Sequence, residues 1–154
     1  MADSVEKLAA IADAEDICVF RVPLVYVKAK TLLTLNSSNR MQFHQRMGIK
    51  NKYKKIIEPI ISKLARFGSG HQHLIIQPVW SDRRSRDLDN LIYFVKWVQD
   101  SLVELGKLDD DKHVSFSFLP AMNEPKNEEH YCEVTMIDLC SNKFFEKIKE
   151  KNNE

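Results

Sequence analysis

Between Ser81 and Asn90 the chain reads SDRRSRDLDN, with Arg83, Arg84 and Arg86 interleaved among Asp82, Asp87 and Asp89. Carboxylates gathered around one point repel, and a divalent cation makes such crowding tolerable. Mg²⁺ takes oxygen ligands and keeps several waters, which suits a phosphodiester substrate. It polarises the phosphate and lowers the pKa of a bound water until that water is a useful nucleophile. Neighbouring arginines would hold flanking phosphates. A plainer reading stands beside this one: a solvated loop in which Asp89, just ahead of an apolar-periodic run, caps the next helix. An EF-hand is excluded, because Ile92 stands where that loop needs Gly and no Glu occupies its twelfth position.

These residues need elements to place them. HLIIQPVW, ahead of the charged stretch, reads as a buried strand. If the chain is still extended at Asp87 and Asp89, residues two apart point to the same side and both carboxylates face one site. Leu91, Val95, Val98, Leu102 and Leu105 then form a single apolar stripe at helical spacing, and Gly106 stands where a left-handed C-terminal cap is expected. Asp109, Asp110 and Asp111 follow, and HVSFSF alternates as a strand with one face buried. A strand–helix–strand unit brings the two acidic groups together only if its second strand runs back beside the first.

The rest of the chain continues the pattern. SVEKLAAIADA, residues 4 to 14, reads as a short amphipathic helix with Ser4 as N-cap. ICVFRVPLVYVKAKTLLTLN is rich in β-branched and aromatic residues and predicts one or two strands. NSSN at 36 to 39 is turn and N-cap material; beyond it, apolar residues from Met41 to Leu64 recur at roughly helical spacing. Pro59 should kink that helix or begin a second piece, since it lacks the N–H donor and crowds the preceding turn. GSG at 68 to 70 should end it. NEPKNEE reads as a polar loop, YCEVTMIDL as a strand, and the charged tail, 141–154, as a frayed helix. The expected fold class is α+β, a single domain over 1–154 with a mixed β-sheet packed against two main helices.

Composition narrows the function classes. At 44% apolar and 29% charged residues the chain suits an ordinary globular domain with a core of its own. No apolar run approaches the ~20 residues of a membrane helix and no secretory signal pattern opens the chain, so a cytoplasmic protein is expected. Cys18, Cys132 and Cys140 form no CxxC pair and read as thiols in a reducing compartment. His71 and His73 alternate as on a strand but lack neighbouring ligands for zinc. Charge is uneven: nine Lys or Arg and no acid lie between Ile17 and Ile57, whereas eight acids face five lysines from Glu124 onward. A basic block without acids suggests a polyanionic partner, though one solvated helix face would carry the same charges.

DRRSRDLDNL, a helix ending DSLVELG, and then LDDDKHV together resemble the RusA-type Holliday junction resolvases of bacteria and their prophages. NSSNR, Asn36 to Arg40, is similar to a short Ser/Asn/Arg motif near that family's N-terminal end. The resemblance covers roughly residues 30–140, leaving 1–25 as an N-terminal extension and the charged tail outside it. It implies a small homodimeric, Mg²⁺-dependent endonuclease (with Mn²⁺ as substitute) that nicks four-way DNA junctions symmetrically, with no small-molecule cofactor, in a bacterial or phage-infected cell. The metal-binding carboxylates would be Asp87, Asp89 and Asp111, with Asp110 beside the last. DNA contacts would fall on Ser37, Ser38, Asn39 and Arg40 and on Arg83, Arg84, Ser85 and Arg86. The family's lysine, one turn after the second aspartate, would land on Tyr93; counted back from DSL it lands on Lys96 instead. Lys96 shares the polar face of Asp89, about 20° around a helix axis, at the cost of lying ~10.5 Å along it instead of ~6 Å, and the resemblance then implies Lys96 as the catalytic lysine.

Two other readings share these residues. One is a DNA-binding or dimerisation module of the same fold without the chemistry; the other is a nuclease of that fold acting on flaps, forks or RNA. The apolar residues of HVSFSF, YCEVTMIDL and the 40–66 segment exceed what one long helix covers, so a closed twofold dimer is expected. Such a dimer would set two active sites against the two opposed strands of a junction.

Overall fold

The computed structural model describes residues 17–24, 42–65, 70–139 and 149–150. The expected helix at 4–14, the motif from Ser37 to Arg40, Cys140 and most of the charged tail lie outside these residues. The described chain is an α+β domain. Its elements are β1 (Ile17–Pro23), α1 (Phe43–Ser62), β2 (Gln72–Trp80), α2 (Ile92–Glu104), β3 (Val114–Phe118), β4 (Met122–Asn123) and β5 (Tyr131–Asp138). Short 3₁₀ turns at Leu88–Leu91 and Asp111–His113 precede α2 and β3.

The sheet is mixed, in the order β1-β5-β2-β3, with β4 also pairing β2. β5 runs antiparallel to both β1 and β2, whereas β3 and β4 run parallel to β2. Alternate residues of the strands face the helices. Leu74, Ile76 and Trp80 of β2, Val134 and Met136 of β5, and Phe20 and Val22 of β1 join Tyr53, Ile57 and Ile61 of α1, Leu91 of the turn before α2, and Phe94, Val95, Val98 and Leu102 of α2 in one buried cluster. Burial of that many aliphatic and aromatic side chains, each worth about 1.5–3 kcal/mol, is the main force holding the helices to the sheet. Tyr53 adds direction: its hydroxyl donates to the carbonyl oxygen of Pro23 at 2.7 Å, tying α1 to the end of β1.

The stripe on α2 behaves as its spacing predicts. Leu91, Val95, Val98 and Leu102 are buried and Leu105 is half-buried against the same cluster. Gly106 has φ +70°, and the N–H groups of Lys107 and Gly106 donate to the carbonyls of Leu102 and Val103 at 2.8 and 3.0 Å. This is a Schellman stop, which requires the left-handed conformation that Gly adopts without steric cost.

Several local expectations are corrected. α1 runs unbroken through Pro59. Position 59 is exposed, so the carbonyl that loses its helical donor, on exposed Lys55, faces water. The helix starts after Gln42, which makes no side-chain cap, and it stops at Ser62, well ahead of the glycines. β3 does not bury one face: Val114 and Phe118 are half-buried, but Phe116 is 42% exposed. At the edge of the described sheet, it has a neighbour on one side only among the described residues. β4 lies ahead of the polar loop and overlaps it only at Asn123, and the sequence does not announce it. Among the described residues no helix is long and apolar enough to cross a membrane.

Candidate functional site

The charged stretch leaves the end of β2 and is folded around its own first aspartate. Arg86 donates to both Asp82 oxygens, Nη1 to Oδ1 and Nη2 to Oδ2, each at 2.7 Å. The Arg84 backbone N–H donates to Asp82 Oδ1 at 3.0 Å, and the Asn123 amide on β4 donates to the Asp82 carbonyl at 2.7 Å. The Arg86 guanidinium lies over the buried Trp80 ring, 4.4 Å from its centroid. A planar fork facing a carboxylate and stacked on an aromatic face is the arrangement that arginine, and not lysine, can make. The hydrogen bonds from Arg86 therefore hold the Asp82 carboxyl far below the usual carboxylate range.

His130, just ahead of β5, closes this cluster. Its ring meets Trp80 edge-on at 5.2 Å. The Ser81 backbone N–H donates to Nδ1 at 2.9 Å, and the Ser81 hydroxyl lies equally near. Nδ1 is thus the bare nitrogen and Nε2 carries the proton, 3.8 Å from Asp82 Oδ2. Burial, together with the charge of Arg86, lowers the His130 pKa, and Asp82 opposes this only partly.

Asp87 and Asp89 come next, and neither caps a helix. Asp87 precedes the 3₁₀ turn in extended conformation (φ −73°, ψ 133°) without a side-chain cap bond, and α2 has the apolar Leu91 at its own cap position. The extended geometry ends at Asp87, since Asp89 already lies in the 3₁₀ turn, so alternation along a strand does not align the two carboxylates. What they share is exposure. Both are exposed, and among the described residues neither carboxylate has a hydrogen bond or ion pair. Arg83 and Arg84 are likewise exposed, with guanidinium groups that no described residue holds. Ser85 is exposed beside them.

The remaining candidates lie apart. β3 sits beside β2, but it runs parallel to it: Val114 pairs with Gln72, the first residue of β2. Asp111 precedes Val114 by three residues, whereas Asp87 and Asp89 follow Trp80, the last residue of β2. Nine residues of strand, roughly 26 Å, lie between those ends. The condition for a three-aspartate cluster, a second strand running back, is not met within one protomer. A helical crossover between parallel strands returns the chain to the end where the first strand began.

Lys96 lies on α2, about half exposed, with its ammonium 3.1 Å from Asp100. Because the helix before Ile92 is 3₁₀, with ~2.0 Å of rise per residue, Lys96 stands about 12 Å along the axis from Asp89. Among the described residues no group of three or more His, Cys, Asp or Glu side chains is arranged to hold a metal ion. The pair Asp87 and Asp89 nevertheless fits Mg²⁺ in kind, as unpartnered carboxylates: this ion is commonly held by one or two carboxylates plus substrate phosphates. The chain matches no model of a known protein family, and no curated protein matches it.

Sequence reasoning missed Trp80 and His130 as supports of the loop. A Trp closing a buried strand just before a charged loop was the available signal. For His130, isolated in a polar loop, there was none.

Proposed function

We propose that the chain is an Mg²⁺-dependent endonuclease for branched DNA, with Asp87 and Asp89 as the metal-binding carboxylates and Arg83 and Arg84 as phosphate contacts. One observation carries the reading: two exposed carboxylates and two exposed guanidiniums, none with a partner among the described residues, stand on a loop that Asp82, Arg86 and Trp80 hold in place. Charged groups left unpaired on a braced loop are available to a ligand, whereas a merely solvated loop has no need of the brace. Mg²⁺ at this position, or Mn²⁺ in its place, would polarise the scissile phosphate and activate water. The resemblance of DRRSRDLDN to the RusA-type resolvases points the same way and adds a homodimer and the four-way junction as substrate.

A second reading has its own observation. Asp111 starts at the opposite end of β2, and Lys96 is held by Asp100, as expected of a DNA-binding module of this fold without chemistry. Labelled four-way junction, flap and linear duplex, each incubated with Mg²⁺ and with EDTA, separate the two. Metal-dependent paired nicks on the junction support the endonuclease; tight junction binding without nicks supports the module.

A further inference from the structure

The loop that carries Asp87 and Asp89 begins at Ser81, the first residue past β2, and its first bond is made to a titratable ring. The Ser81 backbone N–H donates to His130 Nδ1 at 2.9 Å, and the Ser81 hydroxyl lies at the same distance. His130 itself is fixed. Its carbonyl accepts from the Leu24 N–H at 3.0 Å, its ring packs edge-on against Trp80, and the chain enters β5 one residue later. On the other side of Ser81 stands Asp82, which Arg86, the Arg84 N–H and the Asn123 amide hold. A break between His130 and Ser81 is therefore felt by the loop before it is felt by β5.

A bond from a backbone N–H to a bare imidazole nitrogen exists in one protonation state only. Once the ring is protonated, both of its nitrogens are donors. Nδ1–H and the Ser81 N–H then oppose each other, and the peptide nitrogen has no lone pair to offer. The Ser81 hydroxyl can turn to accept from Nδ1, but the Ser81 N–H then loses its acceptor in a part-buried place, which is costly. Charge around the ring is mixed. Asp82 favours the imidazolium from 3.8 Å, but both of its oxygens are already taken by Arg86, which opposes a second cation. A cavity of about 340 Å³ gives water access to the ring and is lined by Arg21 of β1, Glu129, His130 and Tyr131 among others. Glu129 favours the imidazolium and Arg21 opposes it, although Arg21 is itself paired with Glu133 at 3.3 Å. Burial and Arg86 prevail, and the ring is harder to protonate than a free imidazole.

We infer that His130 is a proton-operated latch on the loop of Asp87 and Asp89: as neutral imidazole it holds Ser81 and seats the loop, and as imidazolium it releases it. The latch is closed above the ordinary imidazole value, about pH 6.5, and is lost as pH falls toward the lower folded-state value. Its consequence for Mg²⁺ rests on the endonuclease reading, whereas the release of Ser81 does not.

Two measurements on the full chain between pH 7.5 and about 5.5 test the latch, with His130→Asn and His130→Ala beside the native chain. Asn offers an acceptor where Nδ1 stands and does not titrate; Ala removes the acceptor at every pH. Hydrogen exchange of the Ser81 and Arg84 N–H groups, corrected for its intrinsic pH dependence, reports release directly. On acidification the native chain should lose protection about threefold or more, the equivalent of half a pKa unit. His130→Asn should stay level, and His130→Ala should be unprotected throughout. Affinity for Mg²⁺ alone should fall by a similar factor in the native chain and stay level in His130→Asn. An equal acid loss of protection in the native chain and His130→Asn overturns the latch, because another group then drives it. Full native protection in His130→Ala overturns it as well, and His130→Asn decides even if the Ala variant folds poorly. Mg²⁺ held equally well at both pH values while Ser81 is released overturns the latch as a control of the site. If Mg²⁺ binds at no pH while Ser81 still follows His130, the endonuclease reading falls and the latch stands.

Discussion

Arg86 grips Asp82 through two hydrogen bonds of 2.7 Å while its guanidinium covers the Trp80 ring. The opposite charges crowded into SDRRSRDLDN thus divide into an internal pair that shapes the loop and outward groups that remain open to a ligand. That division yields a first prediction. Arg83→Ala with Arg84→Ala should lower the salt slope of duplex binding by about 0.9 per lost contact. Arg86→Ala should instead act on the fold, losing about 0.5–1 kcal/mol from the ring contact alone. Salt titrations of binding, run beside urea unfolding, check both.

The carboxylates separate by position. Asp87→Asn and Asp89→Asn should each reduce Mg²⁺-dependent junction cleavage at least a hundredfold. Unfolding stability should stay within about 0.5 kcal/mol, since both groups are exposed and unpartnered. Asp111→Asn should keep cleavage within about tenfold, given its place at the other end of β2. A loss as deep as that of Asp87→Asn would mean that a second copy supplies Asp111. Mixed chains, one carrying Asp87→Asn and one Asp111→Asn, would then recover cleavage, and sedimentation would report a dimer.

Acid should weaken the fold in two steps. His130 and Asp82 both have folded-state pKa values below their unfolded ones. Their contributions are present above the unfolded values and are lost as pH falls toward the folded ones. For His130 the loss begins near pH 6.5, and for Asp82 near pH 4. Urea midpoints between pH 7.5 and about 5.5 should therefore fall less in His130→Gln than in the native chain. Burial and the neighbouring His71 lower His73 in the same sense, so part of that drop should survive the substitution.

Gly106→Ala tests the helix stop. A methyl group added at this position would meet no atom within 4 Å, so the cost is conformational and not a clash. At φ +70° it should be about 1–2 kcal/mol, read as a lower urea midpoint with an unchanged slope.

Sequence by itself determined the α+β class, the buried strand from His73 to Trp80, the apolar stripe of α2 and the stop at Gly106. Each depends on periodicity or on backbone freedom within one short window, where chain neighbours are also spatial neighbours. It also marked Asp87 and Asp89 as candidates, because charge crowding is visible along the chain. Only tertiary structure decided three other matters: β3 runs parallel to β2 and sets Asp111 at the far end, Arg86 turns inward to Asp82 and Trp80, and Asp89 leaves α2 uncapped. A fourth is the pairing of α1 with α2, which joins residues fifty positions apart, Lys50 and Asp100. These depend on the direction in which one element returns past another. That direction is set by burial of the shared core, to which every apolar residue contributes and which no single motif records.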